Sequence, residues 1–261
     1  MANSSILSTA TMFLAFLATS PAQSRSLDTA HAADSPSGFR TDRLTPKQLR
    51  IWGEIEKIAL AADKTGRLLH PKLHGLWQRI QASDHAVFIE MTEHQAPTSS
   101  GAKTTLEKTD PDGNRQVVVI WMQLWAIDKA LADRVVHRPD GLTPYFKLEK
   151  YERYAEALGH ELAHAVLMLE SPGYSYLCSE YRSESAELLA LLGQGRGAAD
   201  KEIMQRRQRL QSLADRIEKP AEAAELEIWR ELRNGGRRGA SASDGMNSSW
   251  TAILFNMPSG N

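Results

Sequence analysis

The sequence predicts an α+β fold, in which a small antiparallel sheet precedes a mainly helical half. Three observations lead there. Three β-rich stretches follow one another, "AVFIEM" (86–91), "KTTLEK" (103–108) and "QVVVIWMQL" (116–124), each rich in the branched and aromatic residues that suit a pleated surface. "DPDGN" (110–114) stands between the last two and is a hairpin signal. From Trp125 onward the apolar residues keep a helical period.

Taken in order, the chain opens on "ILSTATMFLAFLAT" (6–19), an apolar run followed by Ser20-Pro21-Ala22-Gln23. Its length suits the hydrophobic region of a signal peptide and is short for a membrane span. Small residues at Ser20 and Ala22 suit cleavage before Gln23, although "MANSS" lacks the usual basic residue. Residues 1–22 are therefore expected to direct export, periplasmic or extracellular, and no membrane span is expected in the mature chain. Residues 23–42 have too little apolar content to pack and are expected to be a linker.

Thr45-Pro46 has the pattern of an N-cap with proline in the first helical position. Leu49, Trp52, Ile55, Ile58 and Ala59 then keep helical spacing to about Asp63. "HPKLHGLWQRIQ" predicts a second short helix. His70 and His74 within it stand four apart, but Pro71 makes this a helix start without a carboxylate, and both are expected to be exposed. The strand Val117 to Leu124 is apolar on both faces and should be central or covered on both sides. After it, a long helix is expected to end at Ser171-Pro172-Gly173, a second to run from about Tyr174 to Leu192, and a third from about Ala199 to Ile217. Pro220 should break the third. "AEAAELEIWREL" follows, and "QRRQR" (205–209) is expected to be a solvated face. One domain is expected over 43–233, with a flexible tail over 234–261.

Composition narrows the function. The chain has 261 residues, 24% of them charged, and a formal net charge of −1. That leaves no electrostatic footprint for nucleic acid. Cys178 is the single cysteine, which rules out an internal disulfide and a cysteine-based metal cage.

The chemistry lies in "YAEALGHELAHAVLMLE" (154–170). On a helix, His160 and His164 sit one above the other and can present two imidazoles to one ion. Glu161 lies about 100° around the helix, within reach of a water held there, without being a ligand itself. The uncharged flanks make this stretch apolar nearly all round, so it should be buried. Buried histidines and carboxylates are costly unless something satisfies them, and a metal ion would. Catalytic zinc takes three protein ligands. If the helices on either side of Pro172 pack antiparallel, Glu180 falls opposite His164, and Glu184 lies one turn later, where it could hydrogen-bond a liganding histidine. Tyr174 and Tyr176 could approach the metal and stabilise an oxyanion, though packing aromatics are the commoner case.

At "ALGHELAHAV" the sequence resembles the zincin metallopeptidases, in which uncharged residues flank and fill His-Glu-x-x-His. The resemblance implies a mixed sheet over the metal helix, an edge strand that aligns the substrate, zinc on His160 and His164, and Glu161 as general base. The metzincin continuation would need glycine and histidine where Leu167 and Glu170 stand, and no histidine follows His164, so the resemblance is to the gluzincin branch. Some bacterial gluzincins place the third ligand in a helix reading Glu-x-x-Ala-Asp/Asn. "EKPAE" puts Glu218 at the ligand position, Ala221 at the small one and Glu222 at the acidic one, with Pro220 as a departure. Glu218 is thus the preferred third ligand, Glu180 the next, then Glu184, Glu222 or Glu225. The implied activity is zinc-dependent hydrolysis of peptides or proteins; the alternative is a non-catalytic zincin-like binding or structural module. If residues 1–22 direct export, N-terminal sequencing of the exported chain should begin near Gln23; a retained Met1 would refute it.

Overall fold

The computed structural model describes residues 38–93, 101–109, 116–132, 148–195, 197 and 200–235. The expected export segment, the turn at 110–114 and the tail beyond 235 lie outside the described residues. The architecture is α+β, with a four-stranded sheet and six helices among the described residues. The strands are β1 (Gly38–Arg40), β2 (Ala86–Thr92), β3 (Ala102–Thr109) and β4 (Gln116–Gln123). The helices are α1 (Pro46–Ala59), α2 (Pro71–Gln81), α3 (Leu124–Ala132), α4 (Lys150–Glu170), α5 (Pro172–Gly193) and α6 (Lys201–Gly235).

The sheet is mixed, which corrects the antiparallel expectation. Its order is β1-β2-β4-β3. β3 and β4 pair antiparallel, Lys103 opposite Trp121, as the hairpin signal requires, whereas β2 pairs in parallel with both β1 and β4. Alternating residues predict that a strand exists but not its neighbour. The direction of β2 against β1 is set by the crossover through α1 and α2, which no local pattern encodes. β1 is only three residues long and falls inside the expected linker. It is held by Phe39, whose ring lies 4.5 Å from Trp77 and 5.2 Å from Trp52.

β4 is central, as its two apolar faces demand. Val118, Ile120 and Met122 join Val87, Ile89 and Met91 of β2 on the face that packs against α1, α2 and α4. On the other face Val119 gathers with Ala86 and Phe88, and the Arg43 guanidinium lies 4.3 Å over the Phe88 ring.

Thr45 caps α1 through a capping box, accepting from the Gln48 N–H at 3.3 Å while the Gln48 side chain accepts from the Thr45 N–H at 2.8 Å. Leu49 is 43% exposed, and Ile51 faces the core with Trp52, Ile55 and Ala59. The helix ends at Ala59 rather than near Asp63. The Asp63 carboxylate accepts from the N–H groups of Thr65 and Arg67, and that local turn competes with helix continuation. His70 is buried and His74 partly so, against the expectation of exposure. The Glu231 carboxylate from α6 takes the Lys72 N–H at 2.9 Å and so closes the start of α2.

α4 begins at a Glu149 capping box with Glu152 and stops at Ser171. That serine also starts α5, accepting from the Tyr174 N–H at 3.3 Å, with Pro172 in the first helical turn. The third helix and the segment after Pro220 form one continuous 35-residue helix, α6, which corrects the expected break. Proline withholds the N–H that the Arg216 carbonyl would receive, yet the helix continues through it. The expected solvated "QRRQR" face is partly engaged: Arg206 and Arg209 pair with Glu184, and Arg209 also with Glu180. No helix among the described residues is long and apolar enough to cross a membrane.

Two apolar clusters meet along α6. The larger is the sheet core with α1, α2, α4 and Ala221, Ala224, Ile228 and Leu232 of α6. The smaller joins Met168 of α4, Tyr174, Tyr181 and Leu188 of α5, and Ile203, Leu210, Leu213 and Ile217 of α6. Close approach of α4 and α6 depends on Gly159, because a Cβ there would stand 2.4 Å from Ile228 Cδ1 and 3.3 Å from Leu73 Cδ1. Gly159→Ala should therefore destabilise the fold by about 1 kcal/mol, overpacking of ~1–3 kcal/mol outweighing a helix-propensity gain of ~1 kcal/mol. With Ile228→Val, which removes the obstructing atom, the same alanine should be tolerated. Urea denaturation of the single and double variants measures both.

Candidate metal centre

His160 and His164 lie one turn apart on α4, and α6 crosses beside them carrying Glu218. His160 Nε2 is 3.0 Å from His164 Nε2, and Glu218 Oε2 is 3.3 Å from the first and 3.4 Å from the second. Among the described residues these three form a group whose ligand atoms all lie within 4.8 Å of one another. Atoms bonded ~2.1 Å from a common tetrahedral centre stand ~3.4 Å apart, so the spacing fits a small divalent ion. The donor set, two imidazole nitrogens and one carboxylate oxygen, suits a transition metal.

Burial makes the cluster interdependent. Burial alone would lower the His160 pKa, but hydrogen bonds to Glu218 and Glu225 and the charge of Glu161 raise it to about 10. Burial would likewise raise Glu218, yet the two imidazoles hold its carboxyl at about 2. The side chains thus supply a positive charge at the centre themselves, in the place a cation would take.

Outer partners orient the rings. His160 Nδ1–H donates to Glu225 Oε2 at 2.9 Å, and a carboxylate in that position turns Nε2 inward. Glu225 thereby holds the supporting role that the hairpin estimate gave Glu184. His164 Nδ1 lies 2.5 Å from the Tyr174 hydroxyl, which donates to the Ile217 carbonyl at 2.9 Å. Tyr174 is therefore on the far side of the imidazole from the metal position, and Tyr176 is 69% exposed. Neither is placed to stabilise an oxyanion.

Glu161 is 5% exposed, one residue from His160, at the junction of α4 with edge strand β3. Its Oε2 accepts from Thr104 Oγ1 of β3 at 2.7 Å, and that hydroxyl is also 3.0 Å from the Glu161 carbonyl oxygen. Burial pushes the Glu161 carboxyl up, further raised by Glu218 and opposed by both imidazoles and the Thr104 hydroxyl.

Of the other candidates, Glu180 and Glu184 point to α6 arginines. Arg209 Nη2 is 2.6 Å from Glu180, and Arg206 Nη1 is 2.9 Å from Glu184. The antiparallel estimate counted residues along α5 but not the rotation of its face. Glu222 is exposed. Thr104 is the residue that sequence reading missed: a threonine in a β-rich run carries no local mark of contact with a helix 57 positions later.

Comparison with protein-family models, with curated proteins and with solved structures finds no match for this chain.

Because a metal must displace the proton that His160 carries below about 10, apparent metal affinity should rise with pH. The slope should be about tenfold per unit from about pH 6 to 8. Chelator-buffered zinc titrations measure it, and a flat profile would refute the displacement.

Proposed function

We propose that this chain is an exported zinc-dependent peptidase of gluzincin type, acting on peptides or proteins. The observation that carries the reading is the convergence of His160 Nε2, His164 Nε2 and Glu218 Oε2, from two helices distant in sequence, beside the buried Glu161 carboxylate.

His160, His164 and Glu218 would hold the ion, with Glu225 fixing His160 from outside. When bound, zinc supplies Lewis acidity to the scissile carbonyl and to the attacking water. Glu161 does the proton work. Its carboxyl is raised by burial, which moves a carboxylate toward the working range of a general base. It takes the proton of the attacking water and hands it to the leaving nitrogen. Thr104 holds that carboxylate by one hydrogen bond to Oε2.

The edge strand supports a peptide substrate. β3 pairs only with β4 among the described residues. An extended peptide could add along its other side through main-chain hydrogen bonds. Leu106 marks one end of that edge, since its carbonyl accepts from Arg182 of α5 at 3.3 Å.

Glu161→Gln keeps the ligand set and removes the base. It should retain about one zinc per chain and lose peptide hydrolysis by at least ~10²-fold. Glu218→Ala should lose zinc affinity, whereas Glu180→Ala should not. Peptide hydrolysis unchanged in Glu161→Gln would refute the catalytic reading, and a zinc-loaded wild type inactive on every peptide and protein tried would favour a binding module.

A further inference from the structure

We infer that Tyr174 is a positioning residue for the metal centre, setting which nitrogen of His164 faces the ion and tying that ring to the helix that carries Glu218. The inference rests on the metal reading of His160, His164 and Glu218.

A backbone carbonyl has no proton to give, so the 2.9 Å contact between the Tyr174 hydroxyl and the Ile217 carbonyl uses the phenolic proton. The Tyr174 oxygen can then only accept from His164 Nδ1, 2.5 Å away. Nδ1 therefore carries hydrogen. A neutral imidazole protonated there keeps its lone pair on Nε2, the atom that stands 3.0 Å from His160 Nε2 and 3.4 Å from Glu218 Oε2.

The residue that carries the hydroxyl is held at its backbone and at its ring. Tyr174 lies in the first turn of α5, where Ser171 accepts its N–H at 3.3 Å, and its ring is buried in the smaller apolar cluster. Ile217 immediately precedes Glu218, so one hydroxyl links the second ligand of α4 to the backbone beside the third ligand on α6. Without the hydroxyl, Nδ1–H would be a buried donor with no acceptor, and the proton would be better placed on Nε2, where Glu218 can receive it. That tautomer faces the metal position with a hydrogen instead of a lone pair.

The test uses the full chain as wild type and Tyr174→Phe, which keeps the ring and its packing. Long-range 1H–15N NMR should find metal-free wild-type His164 as the Nδ1–H tautomer, and Tyr174→Phe should shift it toward Nε2–H. Competition with a chromophoric chelator should find zinc bound 10–100-fold more weakly by Tyr174→Phe than by the wild type. A purely packing role would leave both the tautomer and the zinc affinity of Tyr174→Phe unmoved. A wild-type His164 found as Nε2–H overturns the inference without need of any variant. Wild-type zinc binding with equal affinity in a folded Tyr174→Phe overturns the positioning role alone, while a wild type that takes up no zinc overturns the metal reading and this role with it.

Discussion

The structure depends on holding two imidazoles and two carboxylates where α4 and α6 cross, His164 and Glu161 buried and His160 and Glu218 half-buried. A single buried charge of this kind would cost several kcal/mol. Here each group is answered by another: His160 by Glu218 and Glu225, His164 by Glu218, and Glu161 by both imidazoles and Thr104. The arrangement holds only while the two helices keep their spacing, which is why Gly159 faces Ile228 and why the alanines 221 and 224 lie on the approach side of α6. Packing and polar satisfaction are one constraint at this crossing.

α6 serves two cores with one helix. Before Glu218 its apolar residues belong to the cluster with α5, and after it they belong to the sheet core. Pro220 stands at the change of partner. At that point the Arg216 carbonyl is left without its helical donor. One residue before Glu218, the Ile217 carbonyl accepts from the Tyr174 hydroxyl. The proline that a local reading takes for a helix end thus sits where the helix changes neighbours and delivers a ligand.

The sheet reaches the site through the Thr104 side chain. β3 is an edge strand, antiparallel to β4, and its Thr104 is the one described residue that brings sheet and Glu161 into hydrogen-bond contact. The central β4, apolar on both faces, is what allows β3 to be an edge and still be anchored over α4. Arg182, reaching from α5 to the Leu106 carbonyl, joins that edge to the helical half. The three layers of the molecule therefore meet around residues 160–164.

The sequence by itself determined the elements and half of the centre. Thr45-Pro46, Ser171-Pro172 and the 3.6 period located the helices because capping and amphipathicity are local properties. "DPDGN" between two β-rich runs located the β3–β4 hairpin for the same reason. His160 and His164 were legible because four residues is one helical turn. Glu218 was reachable only through a resemblance. Glu225 stood last among its alternatives, and Thr104 was silent. Their roles depend on the rotation of α6 past Pro220 and on which strand is the edge, and those are decided by packing between residues far apart in the chain. The parallel pairing of β2, the burial of His70 and the diversion of Glu180 and Glu184 to arginines belong to the same class. Spacing along one element fixes what that element can present, while the choice of what it faces is made when the cores close.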